Sequence, residues 1–363
     1  ETNNGDLITD AMLWKVMQNK DGLTVDADHV VAITNGGGIR AAIKPGDVTK
    51  KDINTVLPFG NTVAVIYVTG AELLEALEAS TYSLPVGGFP QVAGINFTLS
   101  TAVAYDANAE TYPASTYYGP KSINRVVINS INGKEFKANE VYAVVTNNFC
   151  AAGGDTYYAF KAASAQFDTG IPLDEAVMEY VTTELKGVIG AQYAAPQGRI
   201  LLNPFKDVKV SSWFGKYVID LYNDGIINGT SATTYTPDAK LSWAAALKLL
   251  LVSHGDLKSE DATGADWSKN AIAKAAELGL VAADLDGAKA ISRLEFCQVA
   301  AKLNKLAESK TESPFTDCTD GYVMALVDAK VINGMTETTF EPSATLTRAQ
   351  IAKIIYQLNL IGK

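Results

Sequence analysis

The chain has 363 residues, 47% of them apolar and 19% charged, with a formal net charge of −10. That length exceeds what one hydrophobic core usually organises, so two or more domains are expected, and the composition excludes a disordered chain. The acidic balance excludes nucleic-acid backbones as partners, because no basic excess exists to displace counterions.

No apolar run reaches the length of a membrane span, and none reads as a signal peptide. Glu1 stands where a full reading frame would have Met, which reads as the mark of a piece cut from a longer protein. Cys150, Cys297 and Cys318 are too few and too scattered for a disulfide framework or a metal knuckle, and are expected to be free thiols. The two histidines, His29 and His254, lie far apart, and no HExxH, paired CxxC or G-x-S-x-G occurs. On chemistry alone the chain carries no recognisable catalytic engine.

In chain order, Leu7, Ile8, Ala11, Met12 and Val16 recur at helical spacing behind Asp6. A strand over 30–34 runs into Asn35-Gly36-Gly37-Gly38-Ile39-Arg40, where three glycines let backbone N–H groups approach a ligand and an arginine offers a fork for an anion. A β-branched strand over 62–68 and a helix over 71–78 follow, then an alternating strand over 95–99. Arg125–Asn129 and Glu135–Lys137 flank Ile131-Asn132-Gly133-Lys134, which predicts a hairpin. A strand over 141–145 leads to Thr146-Asn-Asn-Phe-Cys-Ala-Ala-Gly-Gly-Asp155, and a helix over 173–186 closes the half. Interleaved strands and helices with a hairpin predict an α+β fold built on a mixed sheet.

Five motifs stand in an order that resembles one family. They are Glu1–Met12, Asn35–Arg40, Leu57-Pro58-Phe59-Gly60-Asn61, Phe89–Gly94 and Asn147–Asp155. Together they resemble the C-terminal, substrate-binding domain of the 5′-nucleotidases and UDP-sugar hydrolases, over residues 1–203. The resemblance implies a separate N-terminal metallophosphatase domain that holds divalent metals and performs the hydrolysis, leaving this chain without cofactor and without catalytic residues. It also implies roles by position. Asn35, Gly37, Gly38 and Arg40 match the loop at the phosphate end of the substrate. Phe59, with Asn61 beside it, and Phe149, between Asn148 and Cys150, match two rings that clamp the base. Asp155, behind Gly154, matches the carboxylate that accepts from the ribose hydroxyls. Each residue also has a plain structural reading: Phe59 and Phe149 as core, Asp155 as a turn or cap residue, Arg40 as one half of a surface ion pair. Thr156 stands where the family carries glycine, which predicts a narrower ribose pocket.

Texture changes at Asn203-Pro204. Pro204-Phe-Lys-Asp207, Ile226-Ile-Asn-Gly229 and Tyr235-Thr-Pro237 parallel Pro314-Phe-Thr-Asp317, Val331-Ile-Asn-Gly334 and Phe340-Glu-Pro342. A shorter copy lies between them, giving three helical copies of about 50 residues each. Thr347-Arg348-Ala349-Gln350 and Ser292-Arg293-Leu294-Glu295 read as capping boxes, with an arginine that opposes the helix dipole and needs a carboxylate, Asp207 or Asp317, or an anionic ligand to offset it.

These elements resemble three tandem S-layer homology modules, at 204–253, 254–310 and 311–363, which implies an all-α three-lobed unit binding an anionic secondary polymer of the bacterial cell wall. The residues carried over are Asp207, Gly229, Arg293, Asp317, Gly334 and Arg348. The first copy has Trp243 where the others have arginine, so its pocket is expected to be altered. Trp213, Tyr217, Leu221, Leu247, Leu250 and Leu251 are read as core. Function is expected to be nucleotide recognition within an extracellular, wall-anchored phosphohydrolase. The alternative is a wall protein that keeps the fold without turnover.

Overall fold

The computed structural model describes residues 1–82, 86–103 and 124–361. Two compact units divide it, Glu1–Leu202 and Asn203–Lys363.

In the first unit, β1 (Val30–Asn35), β2 (Thr62–Thr69), β3 (Pro90–Ala93), β6 (Val141–Asn147) and β7 (Ala165–Pro172) form a sheet in the order β3-β1-β6-β2-β7. β1 and β6 run parallel, and the other neighbours are antiparallel. Side chains alternate between the two faces of a strand. Val30 and Ala32 of β1, Val63 and Val65 of β2, and Ala143 and Val145 of β6 therefore bury one face against Leu7, Ala11 and Met12 of α1 (Asn3–Met17) and Ala176 of α5 (Leu173–Glu179). Val31, Ile33, Ala64, Ile66 and Val144 bury the other, against Leu73 and Leu77 of α3 (Gly70–Ser80) and Phe160. Burial on both faces is why these strands read as unbroken apolar runs. Helix α3 and the shorter α2 (Lys50–Val56) start on capping boxes, Thr69 with Glu72 and Thr49 with Asp52. A second sheet of three strands, β5-β4-β8, comprises β4 (Ile95–Ser100), β5 (Val126–Ile131) and β8 (Ile200–Asn203).

The hairpin expected around Asn132-Gly133 is reduced to one antiparallel bridge, Ile131 with Lys134, and does not extend into a strand pair. Asn132 and Gly133 do take positive φ, as a tight turn needs, but β5 pairs with β4, and residues 135–137 lie outside the strands. The Asn132 amide donates to the carbonyls of Asp28 and Val30, at 3.0 Å each, so the turn is fastened to the start of β1.

The second unit is a ring of three helix pairs. α6 (Gly215–Asn223) packs on α11 (Arg348–Leu358), α8 (Trp267–Glu277) on α7 (Trp243–His254), and α10 (Gly321–Asp328) on α9 (Arg293–Leu303). Each pair joins the second helix of one copy to the first helix of the next, and the third copy returns to the first. The loops close the same circle. Trp243 and Ala244 donate their N–H groups to Lys289 and Gly287, Arg293 and Leu294 to Ala344 and Pro342, and Arg348 and Ala349 to Ala239 and Pro237. The orphan donors at each helix start are thus satisfied by the neighbouring copy, which a single copy could not do for itself. Leu221, Leu247, Leu250 and Leu251 are core, as their spacing predicts, and Tyr217 packs on Tyr356 with ring centroids 5.2 Å apart. Trp213 is not core. It is 59% exposed and precedes the first turn of α6.

Candidate functional site

One end of the five-stranded sheet gathers the candidate residues of the first unit. Register places Asn147, the last residue of β6, opposite Val63 near the start of β2, and Asn35, the last residue of β1, opposite Pro90 at the start of β3. The loops leaving that end carry Gly36–Arg40, Phe59–Asn61 and Asn148–Asp155.

Asn147 is fully buried and uses all of its amide. Its Nδ2 donates to Thr34 Oγ1 at 3.0 Å and to Asn35 Oδ1 at 2.9 Å, and its Oδ1 accepts from the Cys150 N–H at 2.8 Å. Asn35 in turn donates from Nδ2 to Asp155 Oδ2 at 2.6 Å. Asp155 holds φ of +51°, a left-handed conformation that aspartate tolerates better than most residues. The Phe149 ring lies over Gly154, where a Cβ would fall 2.6 Å from ring carbons, so glycine is what lets the ring pack on this turn beside Asp155. Asn148 Oδ1 accepts from the Thr62 N–H at 3.3 Å, linking this turn to the chain just after Phe59 and Asn61. Phe59, Asn61, Gly38 and Asn147 line one small cleft with Thr34 and Asp174.

Phe59 is 61% exposed and Phe149 45% exposed, so neither is a core plug. Arg40 forms no surface ion pair among the described residues. Its guanidinium lies 5.9 Å from the centroid of Phe59 and donates to the Gly37 carbonyl at 3.2 Å. The glycine loop differs from the expected open cradle. Gly36 N–H donates to Phe89 O at 2.8 Å and Gly37 N–H to Gly87 O at 2.7 Å, so two of the three amides are spent on the 86–89 loop. A Cβ on Gly37 would sit 3.0 Å from Gly87 O and one on Gly36 3.1 Å from Phe89 O, so these two glycines pack against that loop, whereas Gly38 faces the Asn35 side chain, with Oδ1 3.3 Å from where its Cβ would lie. Thr156 is fully buried, and a Cβ on Gly88 would fall 2.4 Å from its hydroxyl. The narrowing expected from Thr156 therefore falls on the 86–89 loop. Burial pushes the Cys150 thiol up to about 12, so it is no nucleophile near neutrality. Among the described residues no group of three or more His, Cys, Asp or Glu is placed to hold a metal ion.

In the second unit Arg293 and Arg348 each reach into the next copy. Arg348 lies 4.4 Å over Tyr235 and donates to the carbonyls of Tyr235 and Asn228, at 2.8 Å each. Arg293 lies 4.6 Å over Phe340 and donates from Nη2 to Asn333 O at 2.6 Å. Neither pairs with Asp207 or Asp317, the carboxylates expected to offset them. Those aspartates accept backbone N–H groups instead, Asp207 from Tyr235 and Thr236 and Asp317 from Phe340 and Glu341. Gly229 and Gly334 are close-approach glycines: a Cβ would fall 2.3 Å from the carbonyl of Ser231 or Thr336. Arg293 is 6% exposed and its Nε has no partner. It lines a groove of about 170 Å³ with Trp213, Asn333, Met335, Gln350 and Lys353. Trp213 was not legible as a groove residue, because helical spacing does not extend to a residue ahead of its helix.

Residues 1–162 match the family model described as 5′-nucleotidase, C-terminal domain, and residues 204–246 and 317–352 match that of the S-layer homology domain. The chain joins a 5′-nucleotidase C-terminal domain to S-layer homology domains. It is 38% identical over 204 residues to a trifunctional nucleotide phosphoesterase protein of Bacillus subtilis, covering 55% of this chain and 12% of that one. It is 31% identical over 210 residues to human 5′-nucleotidase, covering 55% of this chain and 33% of that protein. A cell wall protein of Listeria monocytogenes is 32% identical over 170 residues, covering 45% and 19%. A solved 5′-nucleotidase precursor from Thermus thermophilus is similar at 36% identity and a TM-score of 0.43, covering 56% of this chain and 35% of that one. The chain thus spans a third or less of the length of these curated relatives.

Proposed function

We propose that the first unit is the nucleotide-recognition half of a 5′-nucleotidase-type phosphohydrolase, displayed outside the cell and held on the wall by the second unit. The observation that carries the first part is the grouping at one sheet end. Two exposed rings, Phe59 and Phe149, accompany the carboxylate of Asp155 and the guanidinium of Arg40. Exposed rings offer stacking worth about 1–3 kcal/mol per base, whichever base it is. A carboxylate suits the two donors of a ribose diol, and an arginine suits phosphate. In this reading hydrolysis belongs to a metallophosphatase domain outside this sequence, which supplies the divalent metals.

For the second unit the reading is an anionic saccharide of the cell wall. The groove beside Arg293 supports it, because a buried guanidinium with an unpartnered Nε, an exposed indole at Trp213 and the ammonium of Lys353 suit a sugar that carries acid groups.

Calorimetric titration of this chain with adenosine and AMP tests the first part. Saturable binding is expected, and none at millimolar ligand overturns it. Co-sedimentation with purified Gram-positive wall, before and after chemical removal of its secondary polymer, tests the second. Retention that survives removal of the polymer overturns it.

A further inference from the structure

Asn147 opens the Asn147–Asp155 motif but, unlike its neighbours Asn148 and Phe149, has no role in the ligand site assigned to it. Its contacts set it apart. An amide can sit either way round in a side-chain slot, and only its neighbours decide which end is oxygen. Asn35 stands between two groups. One is Asp155, whose carboxylate oxygen lies 2.6 Å from Asn35 Nδ2. The other is Asn147, whose Nδ2 donates to Asn35 Oδ1 at 2.9 Å. With Asn147 donating, the Asn35 oxygen must face it, and the Asn35 N–H must then face Asp155. Without that donor the carboxylate alone would orient the amide, and Asn35 would lose the anchor that holds its other end in place.

Asn147 is itself held. Its second N–H goes to Thr34 Oγ1, and its own oxygen caps the turn of α4 (Asn148–Ala151), which carries Phe149. One buried side chain thus sits between the turn that presents the ring and the pair that presents the carboxylate.

We infer that Asn147 is a positioning residue for the ribose-binding carboxylate: through Asn35 it fixes the place and direction of Asp155, without touching the ligand. The inference rests on the nucleotide reading above and deepens it to the diol. It separates two roles that the Asn147–Asp155 motif carries together, capping the ring-bearing turn and aiming the carboxylate.

The variants follow from that separation. Serine and threonine cap helix starts much as asparagine does, but their hydroxyls end one bond short of the Nδ2 that donates to Asn35 Oδ1. In Asn147→Ser the cap is kept and the relay is lost, and Asn147→Thr is the second variant should serine leave the site too loose to fold. Each is titrated, alongside the unaltered chain, with adenosine and with 2′,3′-dideoxyadenosine, which has the same base and no diol. The expected result is an adenosine affinity lowered about tenfold with that for the dideoxy analogue unchanged, because the lost hydrogen-bonding acts only on the diol. Equal weakening toward both ligands, or none toward either, overturns the inference while leaving the nucleotide reading standing. Failure of the unaltered chain to bind adenosine at all overturns that reading and this inference with it.

Discussion

The guanidinium of Arg348 lies 4.4 Å over the ring of Tyr235, a residue 113 positions earlier, and donates to that residue's carbonyl. The contact ties the third copy of the helical unit to the first and so closes the ring. The same guanidinium also donates to the Asn228 carbonyl at 2.8 Å. Arg348→Ala is expected to destabilise the second unit by about 2–3 kcal/mol, from two carbonyls left unpaired and a lost cation–ring contact. Urea unfolding of the variant against the unaltered chain measures it.

Trp213 gives the opposite expectation. With 59% of its surface exposed, little stability rests on it. Trp213→Ala is expected to leave the unfolding midpoint within about 0.5 kcal/mol of the unaltered chain, as surface changes generally do. Retention on purified wall falls severalfold if the indole is the sugar platform. Loss of stability with retention intact would assign Trp213 to packing instead.

Phe149→Ala is expected to weaken adenosine binding by about 1–3 kcal/mol, the usual worth of a base stacked on a ring. Phe149 is nearly half exposed and packs on the Cβ-free Gly154, so a small stability loss accompanies the change. Titration of Phe149→Ala and Phe59→Ala separately, then together, shows whether both rings grip one base. Losses that simply add fit two independent platforms, whereas a double variant no worse than either single one fits a shared clamp.

Much of this was legible in the sequence, for identifiable reasons. The runs at 30–34, 62–68 and 141–145 are β-branched and unbroken because both faces of their sheet are buried, and that pattern needs no partner to be seen. Asn132-Gly133 correctly announces a turn, yet a turn signal does not say which strand pairs with which, and the register chosen was β5 with β4. Asp207 and Asp317 looked like counter-ions for the arginines because charge is visible in sequence and a free backbone N–H is not. The triple glycine announced close approach, but the object approached is the 86–89 loop, which only the fold brings near.

His29 makes the first unit sensitive to pH. Its Nδ1 lies 2.6 Å from Asp28 and its Nε2 2.8 Å from Glu140, and Lys134 and Lys137 pair with those same carboxylates. Two carboxylate acceptors require both ring nitrogens to donate, so the imidazolium is the favoured form and its pKa is raised by the bonds to Glu140 and Asp28. Asp28 is held below the usual carboxylate range by Lys134 and then His29, and Glu140 by Lys137 and then His29. A raised histidine gives stability that is complete below its unfolded value of about 6.5 and lost as pH climbs through the folded value. The lowered carboxylates give stability present above their unfolded values of about 4 and lost as pH falls. The cluster is therefore strongest in mildly acidic solution, and His29→Gln should flatten the decline on the alkaline side of that window. Unfolding midpoints of both proteins from mildly acidic to mildly alkaline pH check it, and parallel curves would count against the cluster.

Gly334 and Gly225 separate two reasons for glycine. Gly225 has φ of +72° with open space where a Cβ would go, so Gly225→Ala is expected to cost about 1 kcal/mol of backbone strain. Gly334 has no such φ. A Cβ there would meet the Phe315 ring at 2.5 Å and the carbonyls of Thr336 and Thr339 at 2.3 and 2.7 Å. Backbone carbonyls cannot swing aside as a flexible side-chain end can, so Gly334→Ala must shift the loop that receives Arg293, at about 1–3 kcal/mol. Because Asn333 supplies the carbonyl that Arg293 caps, the shift reaches the groove as well as the fold. Gly334→Ala should then lower both the unfolding midpoint and wall retention, whereas Gly225→Ala lowers the midpoint alone. Equal retention in the two variants would show that the 333–336 loop takes no part in holding the polymer.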